Sequence, residues 1–216
     1  MLQLHYFPGS ASLIPHILLE ELGVPFERVL VDRTVQAHKS PAYLQLNPNG
    51  LIPVLTDGDL VLYETAAICM HLVDTHPKAA LAPALGSAAR AHFYKWLIWM
   101  TNTLQPALII YFYPDRWADP GATQAADDLR RHAQERIGGL LDQMDAELAR
   151  HGGPWFGGAA YSALDPFAFT LCRWTRGFSM APARDRPHLG PYLERMLERP
   201  AVQRALANEG LTPPWV

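Results

Sequence analysis

The stretches of this chain best fitted to hold a ligand are Asn47-Pro48-Asn49-Gly50-Leu51-Ile52-Pro53-Val54-Leu55 and the Glu64-Thr65 pair that follows. Ile52-Pro53 lies between β-forming residues just ahead of a short hairpin. That setting points to a cis bond, since X-Pro is the one peptide bond where cis costs only about 0.5–1 kcal/mol. Such a bond turns a backbone edge outward. Glu64-Thr65 opens an apolar helix, and the unpaired N–H groups at a helix start attract anions. An open edge beside a helix N-terminus can grip a small peptide by its main chain and its carboxylate together.

Two bodies of different pattern carry these residues, dividing near residue 80. In residues 1–78, Leu2, Leu4 and Tyr6 alternate as one face of a strand. Ser12 is placed to cap a helix with apolar residues Leu13, Ile14, Ile17, Leu18 and Leu22, stopped by Gly23 and Pro25. Phe26–Val31 reads as a strand and Pro41–Leu46 as a short helix or turn. Ile52–Thr56 and Leu60–Tyr63 are strands joined by the hairpin signal Asp57-Gly58-Asp59, and Ala66–Thr75 is helical. The order βαβ, short α, ββα predicts an α/β domain. Residues 79–86, rich in Ala and Pro, read as a linker, and residues 87–216 are helical throughout. Ser87 caps a long helix predicted to bend at Pro106, where a backbone donor is missing. Thr123–Arg150 is a second long amphipathic helix. A third, containing Phe167, Ala168, Phe169, Leu171, Cys172 and Trp174, is apolar almost all round and therefore buried. Its start, Ser162-Ala163-Leu164-Asp165, is a capping-box pattern with Asp at the place usually given to Glu or Gln. Two shorter helices follow, separated at Pro200.

Composition narrows the function. The chain has 216 residues, 49% of them apolar, and a formal net charge of −3. No basic run offers a nucleic-acid surface, and no apolar stretch approaches the roughly 18 residues of a membrane span. MLQLHYFPG is a strand pattern without the basic start and apolar core of a signal peptide. Cys69 and Cys172, far apart in apolar helical patterns, read as reduced core residues of a cytoplasmic protein. No metal-ligand cluster, glycine-rich phosphate loop or Ser/His/Asp order is present.

Tyr6-Phe7-Pro8-Gly9-Ser10-Ala11-Ser12-Leu13-Ile14-Pro15-His16, the Asn47–Leu55 segment, Glu64-Thr65 and Ser162–Asp165 occur in an order and spacing that resembles the glutathione S-transferase family, bacterial-type and covering essentially the whole chain. The resemblance implies a thioredoxin-like glutathione-binding domain followed by an all-helical domain. It also implies that glutathione is a co-substrate, that no metal is needed, and that the protein is a cytoplasmic homodimer active in detoxification.

That chemistry requires a bound thiol to be ionised. A free thiol has a pKa of about 8.5, and lowering it by two units takes about 2.7 kcal/mol of preference for the anion. A hydroxyl bonded to a charged acceptor supplies about 1.5–3 kcal/mol and a helix N-terminus about 0.3–1 kcal/mol. One serine at the mouth of the first helix is therefore enough. Ser10 holds the position of the activating serine in delta- and theta-type enzymes. Ser12 matches a serine of the beta-type motif, whose preceding cysteine is Ala11 here. Tyr6 stands where tyrosine-type enzymes place their phenol. Of the three, Ser10 is favoured.

By the same resemblance, the γ-glutamyl carboxylate rests on Thr65, with Glu64 facing the ammonium. The cysteinyl backbone pairs with the N–H and C=O of Ile52, exposed by Pro53. The glycyl carboxylate takes a donor among Gln36, His38 and Lys39. A hydrophobic electrophile is expected between the domains, against Phe7, Gln105, Ile109, Tyr113 and Phe178. The implied reaction is attack of the glutathione thiolate on that electrophile. A glutathione-dependent peroxidase or disulfide reductase, and a non-catalytic binding or scaffold protein of the same fold, remain as alternatives.

Overall fold

Alternating apolar residues build the sheet and 3.6-residue rhythms the helices on it. The computed structural model describes residues 1–216. In chain order the first elements are β1 (Gln3–Tyr6), α1 (Leu13–Leu22), β2 (Glu27–Leu30), a 3₁₀ turn at Ala37–Lys39, α2 (Pro41–Leu46), β3 (Val54–Asp57), β4 (Leu60–Tyr63) and α3 (Thr65–Thr75). The strands lie in the order β2-β1-β3-β4, with β1 parallel to β2 and antiparallel to β3, and β3 antiparallel to β4. This is the thioredoxin-like arrangement.

Register sorts the side chains. Leu4 stands opposite Leu55, and both are fully buried. His5 stands opposite Val54 on the other face, where Val54, Val31 and Tyr43 of α2 form a cluster joined by Leu46, Ile52 and Tyr63. Leu13, Ile14, Ile17 and Leu18 of α1 and Ile68, Cys69 and Leu72 of α3 are buried as their rhythm requires. Gly23 ends α1 in the left-handed region (φ 65°), its N–H donating to the Leu19 carbonyl. Ser40 caps α2, accepting from the Tyr43 N–H at 3.2 Å, with Pro41 in the first turn. Ser12 departs from expectation. It precedes α1 in helical conformation and its side chain makes no cap bond, because the hydroxyl is turned back toward Phe7.

The later elements are α4 (Ala88–Trp99), a π-helical turn at Met100–Leu104, α5 (Gln105–Phe112), α6 (Thr123–His151), α7 (Leu164–Arg173), α8 (Leu189–Leu197) and α9 (Pro200–Asn208). Ser87 caps α4, accepting from the Arg90 N–H at 3.1 Å. The irregularity anticipated at Pro106 takes the form of the π turn, which leaves Pro106 in the first turn of α5 where its missing donor costs little. Every residue of α7 is buried. Asp165 accepts from the N–H groups of Ser162 and Phe156, each at 2.8 Å, while the Ser162 hydroxyl accepts from the Leu164 N–H at 3.3 Å. The Tyr192 hydroxyl donates to the same carboxylate at 3.1 Å. At the start of α8, Asp145 accepts from the His188 and Leu189 N–H groups at 2.8 Å and from the His188 ring at 2.9 Å. Burial works to raise this carboxyl's pKa, but those bonds outweigh it and hold it below its ordinary value.

Contacts divide the chain into two units, Met1–Pro83 with Met196–Trp215, and Ala84–Arg195 with Val216. Met196–Trp215, which pattern alone grouped with the helical part, thus rejoins the sheet-bearing unit, where α9 packs on α1. No helix is long and apolar enough to cross a membrane.

Candidate active site

The residues between β1 and α1 form a tight hydroxyl-bearing loop. The Ser10 N–H donates to the Phe7 carbonyl at 3.2 Å, closing a turn with Pro8 second and Gly9 third, and Gly9 takes the positive φ (69°) that such a turn demands. Ser12 is fully buried. Its hydroxyl donates to the Phe7 carbonyl at 3.1 Å and accepts from the Phe7 N–H at 3.2 Å. Its single hydrogen being committed, the 2.9 Å contact between the two serine hydroxyls makes Ser10 the donor. Ser10 is only partly buried, accepts from the Ser12 N–H at 3.3 Å, and lies just ahead of the first turn of α1. Tyr6, at the end of β1, has the Arg28 guanidinium 5.4 Å from its ring centroid.

The second cluster is built from Asn47. This residue is nearly fully buried and ties its own turn: its Nδ2 donates to the Leu51 carbonyl at 2.9 Å and its Oδ1 accepts from the Asn49 N–H at 3.0 Å. Tyr43 donates its phenol to the same Leu51 carbonyl at 2.9 Å, and burial raises that phenol's pKa, keeping it protonated. The Ile52–Pro53 peptide is cis, and the main-chain N–H and C=O of Ile52 make no hydrogen bond within the chain. Pro53 is buried behind it.

Lys39 reaches this turn, its Nζ 3.3 Å from the Asn49 carbonyl. Gly50 shows how close the approach is. It has φ 60°, and a Cβ there would sit 2.8 Å from the His38 carbonyl and 2.7 Å from the Lys39 Nζ. A lysine tip can swing away, but a backbone carbonyl cannot. Gly50→Ala is therefore expected to cost about 1–2 kcal/mol from the left-handed backbone alone, more from displacing His38, and to lower the thermal midpoint by several degrees. Thermal unfolding of the variant beside wild type checks this. Gln36, exposed and itself left-handed (φ 55°), lies at the far end of the same 3₁₀ turn.

Glu64 and Thr65 open α3. Thr65 is buried at its first position, and Glu64 is exposed with φ 72° and ψ 111°. A non-glycine residue held there stores roughly 1–3 kcal/mol of strain, and such outliers gather where ligands are clamped. The Glu64 carbonyl still accepts from the Ile68 N–H at 3.0 Å, so the helix begins in full register.

Ser10, Lys39, Ile52, Glu64 and Thr65 therefore all lie on the sheet-bearing unit, together with Phe7, which stacks under Arg33 at 5.6 Å. The other residues assigned to a second substrate belong to the helical unit. Gln105 and Ile109 lie one turn apart on α5, and Tyr113 follows directly after its last residue, outside helical conformation. Phe178 is almost wholly buried, 4.3 Å from Tyr111, a ring set about 200° round the helix from Ile109. Cys69 and Cys172 are free and buried, and burial pushes both thiols up, Cys172 to about 12. Sequence reasoning missed Glu209, whose carboxylate accepts from the Gly9 N–H at 2.8 Å from the far end of the chain. It also passed over the Tyr43 bond to Leu51, for which an aromatic residue in a short helix gives no local signal.

Residues 2–74 match the family described as glutathione S-transferase, N-terminal domain. Over 210 residues the chain is 30% identical to glutathione S-transferase GST-4.5 of Xanthomonas campestris pv. campestris, covering 97% of this chain and 100% of that one. A glutathione transferase homologue from Sulfitobacter, solved with bound glutathione, superposes with a TM-score of 0.87 at 28% identity over 98% of this chain and 99% of its own. A sphingomonad glutathione S-transferase complexed with glutathione gives a TM-score of 0.82 at 33% identity, covering 97% of this chain and 100% of that one. With an N-terminal domain, a whole-length relative and two whole-length structures in agreement, the chain belongs to the glutathione S-transferase family.

Proposed function

We propose that this protein is a glutathione transferase in which the Ser10 hydroxyl holds the sulfur of bound glutathione as a thiolate. The observation that carries the reading is the division of labour between the two serines. Ser12 is buried with its hydrogen spent on the Phe7 carbonyl, whereas Ser10 is partly exposed and donates only to another hydroxyl. A hydroxyl hydrogen rotates freely, so Ser10 can turn from Ser12 to a sulfur at little cost. The first turn of α1 adds its positive end to the same place.

The tripeptide is held along its length. Its γ-glutamyl carboxylate takes the N–H and hydroxyl of Thr65 at the start of α3, and Glu64 meets the ammonium. Its cysteinyl backbone pairs with the free N–H and C=O of Ile52, beside the cis bond to Pro53. Its glycyl carboxylate takes Lys39, which already lies against the Asn49-Gly50 turn, with His38 and Gln36 behind it. The thiol proton leaves to solvent. The thiolate electron pair then forms the bond to an electrophilic carbon, whose leaving group departs with its own pair. Gln105, Ile109 and Tyr113 offer a mostly apolar face to a hydrophobic electrophile. The same reading includes a cytoplasmic homodimer and a role in detoxification. Both cysteines are buried, which favours glutathione rather than a protein thiol as the nucleophile.

The test is a pH titration of reduced glutathione bound to wild-type protein, followed by thiolate absorbance near the ultraviolet edge. The bound thiol is expected to ionise about two units below the free value of about 8.5. Binding without ionisation would turn the reading into a non-catalytic glutathione-binding protein, and no binding would overturn it.

A further inference from the structure

Glu209 stands where chemistry does not favour a carboxylate. It follows α9 directly, at the helix end whose carbonyls repel negative charge, and its side chain is fully buried. Such a placement is tolerated only where fixed donors repay the loss of water. Here there are two. Oε2 accepts from the Gly9 N–H at 2.8 Å, and Oε1 lies 2.7 Å from His16 Nδ1. A carboxylate only accepts, so Nδ1 carries the proton. His16 is fully buried in α1, and its Nε2 has no hydrogen-bond partner, the nearest carboxylate oxygen being Glu20 Oε1 at 3.8 Å.

The carboxylate is aimed from a fixed base. Arg199 forms a bidentate pair with Glu21 of α1 at 2.6 and 2.7 Å, Arg204 pairs with Glu20 at 2.6 Å, and Arg28 of β2 bonds the Asn208 carbonyl. What it grips is the middle of the Phe7–Ser10 turn. With proline second and a positive φ third, this is a type II turn, and the Pro8–Gly9 peptide that Glu209 holds is the one that flips between type II and type I. A flip would carry the Gly9 N–H away from Glu209 and re-aim the residue that leaves the turn, Ser10.

We infer that Glu209 is a positioning residue for Ser10, so that the segment after the helical unit completes the thiolate site of the sheet-bearing unit. The inference rests on the proposed role of Ser10.

Three measurements test it. In wild type, the Gly9 amide should be shifted downfield and strongly protected from exchange, and a fast-exchanging Gly9 amide overturns the inference. In Glu209→Ala, kcat should fall about tenfold at neutral pH and the bound thiol's pKa should rise about one unit. KM for glutathione should change less than twofold, because Ile52, Glu64 and Thr65 are untouched. In Glu209→Gln the amide oxygen still accepts from Gly9 while its NH₂ meets the other His16 tautomer, so kcat and thiol pKa should return most of the way. Unchanged kcat and thiol pKa in a cooperatively melting Glu209→Ala protein overturn the inference, as does a matched loss in kcat and gain in KM. Should Glu209→Ala not fold, a Gln variant with an intact Gly9 amide but the thiol pKa of free glutathione overturns it equally. Wild-type protein that binds glutathione without ionising it counts against the transferase reading instead, and the Gly9 amide still reports on the loop contact.

Discussion

Ser10→Ala is expected to lower kcat/KM for glutathione conjugation roughly 10- to 100-fold at neutral pH, with little change in stability. The size follows from the bond removed: a hydrogen bond to an anion is worth about 1.5–3 kcal/mol, and each 1.36 kcal/mol is tenfold. The loss should depend on pH in a way that no general damage would mimic. Without the hydroxyl the bound thiol titrates closer to its free value of about 8.5, so the variant is handicapped most where wild type is ionised and free thiol is not. Above that value both are thiolates and the two rates converge. Ser12→Ala should behave in the opposite manner. It strips a partner from both the N–H and the C=O of Phe7, a cost of about 1–3 kcal/mol in stability. Its pH profile should keep the wild-type shape. Profiles of kcat/KM against pH for both variants decide the matter; a wild-type acid limb in Ser10→Ala would remove Ser10 from the mechanism.

Asp165→Ala should be the most destabilising single change in the helical unit, at about 3–5 kcal/mol. This carboxylate is fully buried and accepts from three close donors, the N–H groups of Phe156 and Ser162 and the hydroxyl of Tyr192, with the Ser162 hydroxyl farther off at 3.5 Å. Alanine leaves the two N–H groups unpaired in a dry interior, and the Tyr192 hydroxyl with only the main-chain carbonyl of residue 165, 3.2 Å away. Burial, the largest of the effects that hold the Tyr192 phenol well above its ordinary value, remains in the variant and keeps it protonated. Whole domains are stable by only about 5–15 kcal/mol, so the variant should melt at least 10 °C lower or fail to accumulate. Asp165→Asn keeps one acceptor and should fall between. Thermal unfolding by circular dichroism ranks the three proteins, and a wild-type midpoint in Asp165→Ala would refute the account of how α7 is held.

Much of this was legible along the chain because it is local. The rhythm of Leu13, Ile14, Ile17 and Leu18, the stop at Gly23 and the cap at Ser87 each depend on residues within a turn or two. So does Ile52–Pro53, whose cis bond follows from its neighbours' types. Other features turned on competition that a pattern does not price. Ser12 has the right type and position for a cap, but the Phe7 backbone outbids the helix for its hydroxyl. Pro106 announced an irregularity, yet whether the helix would kink or widen into a π turn depends on packing. Phe178 meets Tyr111 rather than the Ile109–Tyr113 line. Farthest out of reach was Glu209, which joins residues almost the whole chain apart and leaves no periodic trace.

The return of α9 to α1 also sets an order of events at the ribosome. β1–α3 emerge first, but the residues that cover Glu20, Glu21 and His16 are not made until the helical unit has been translated. A nascent first half therefore carries a bare acidic helix face and a serine loop still free to turn over. N-terminal domains ordinarily fold as they are made. Here the half that is made first is finished last, and the proposed thiolate site waits for α9 and Glu209.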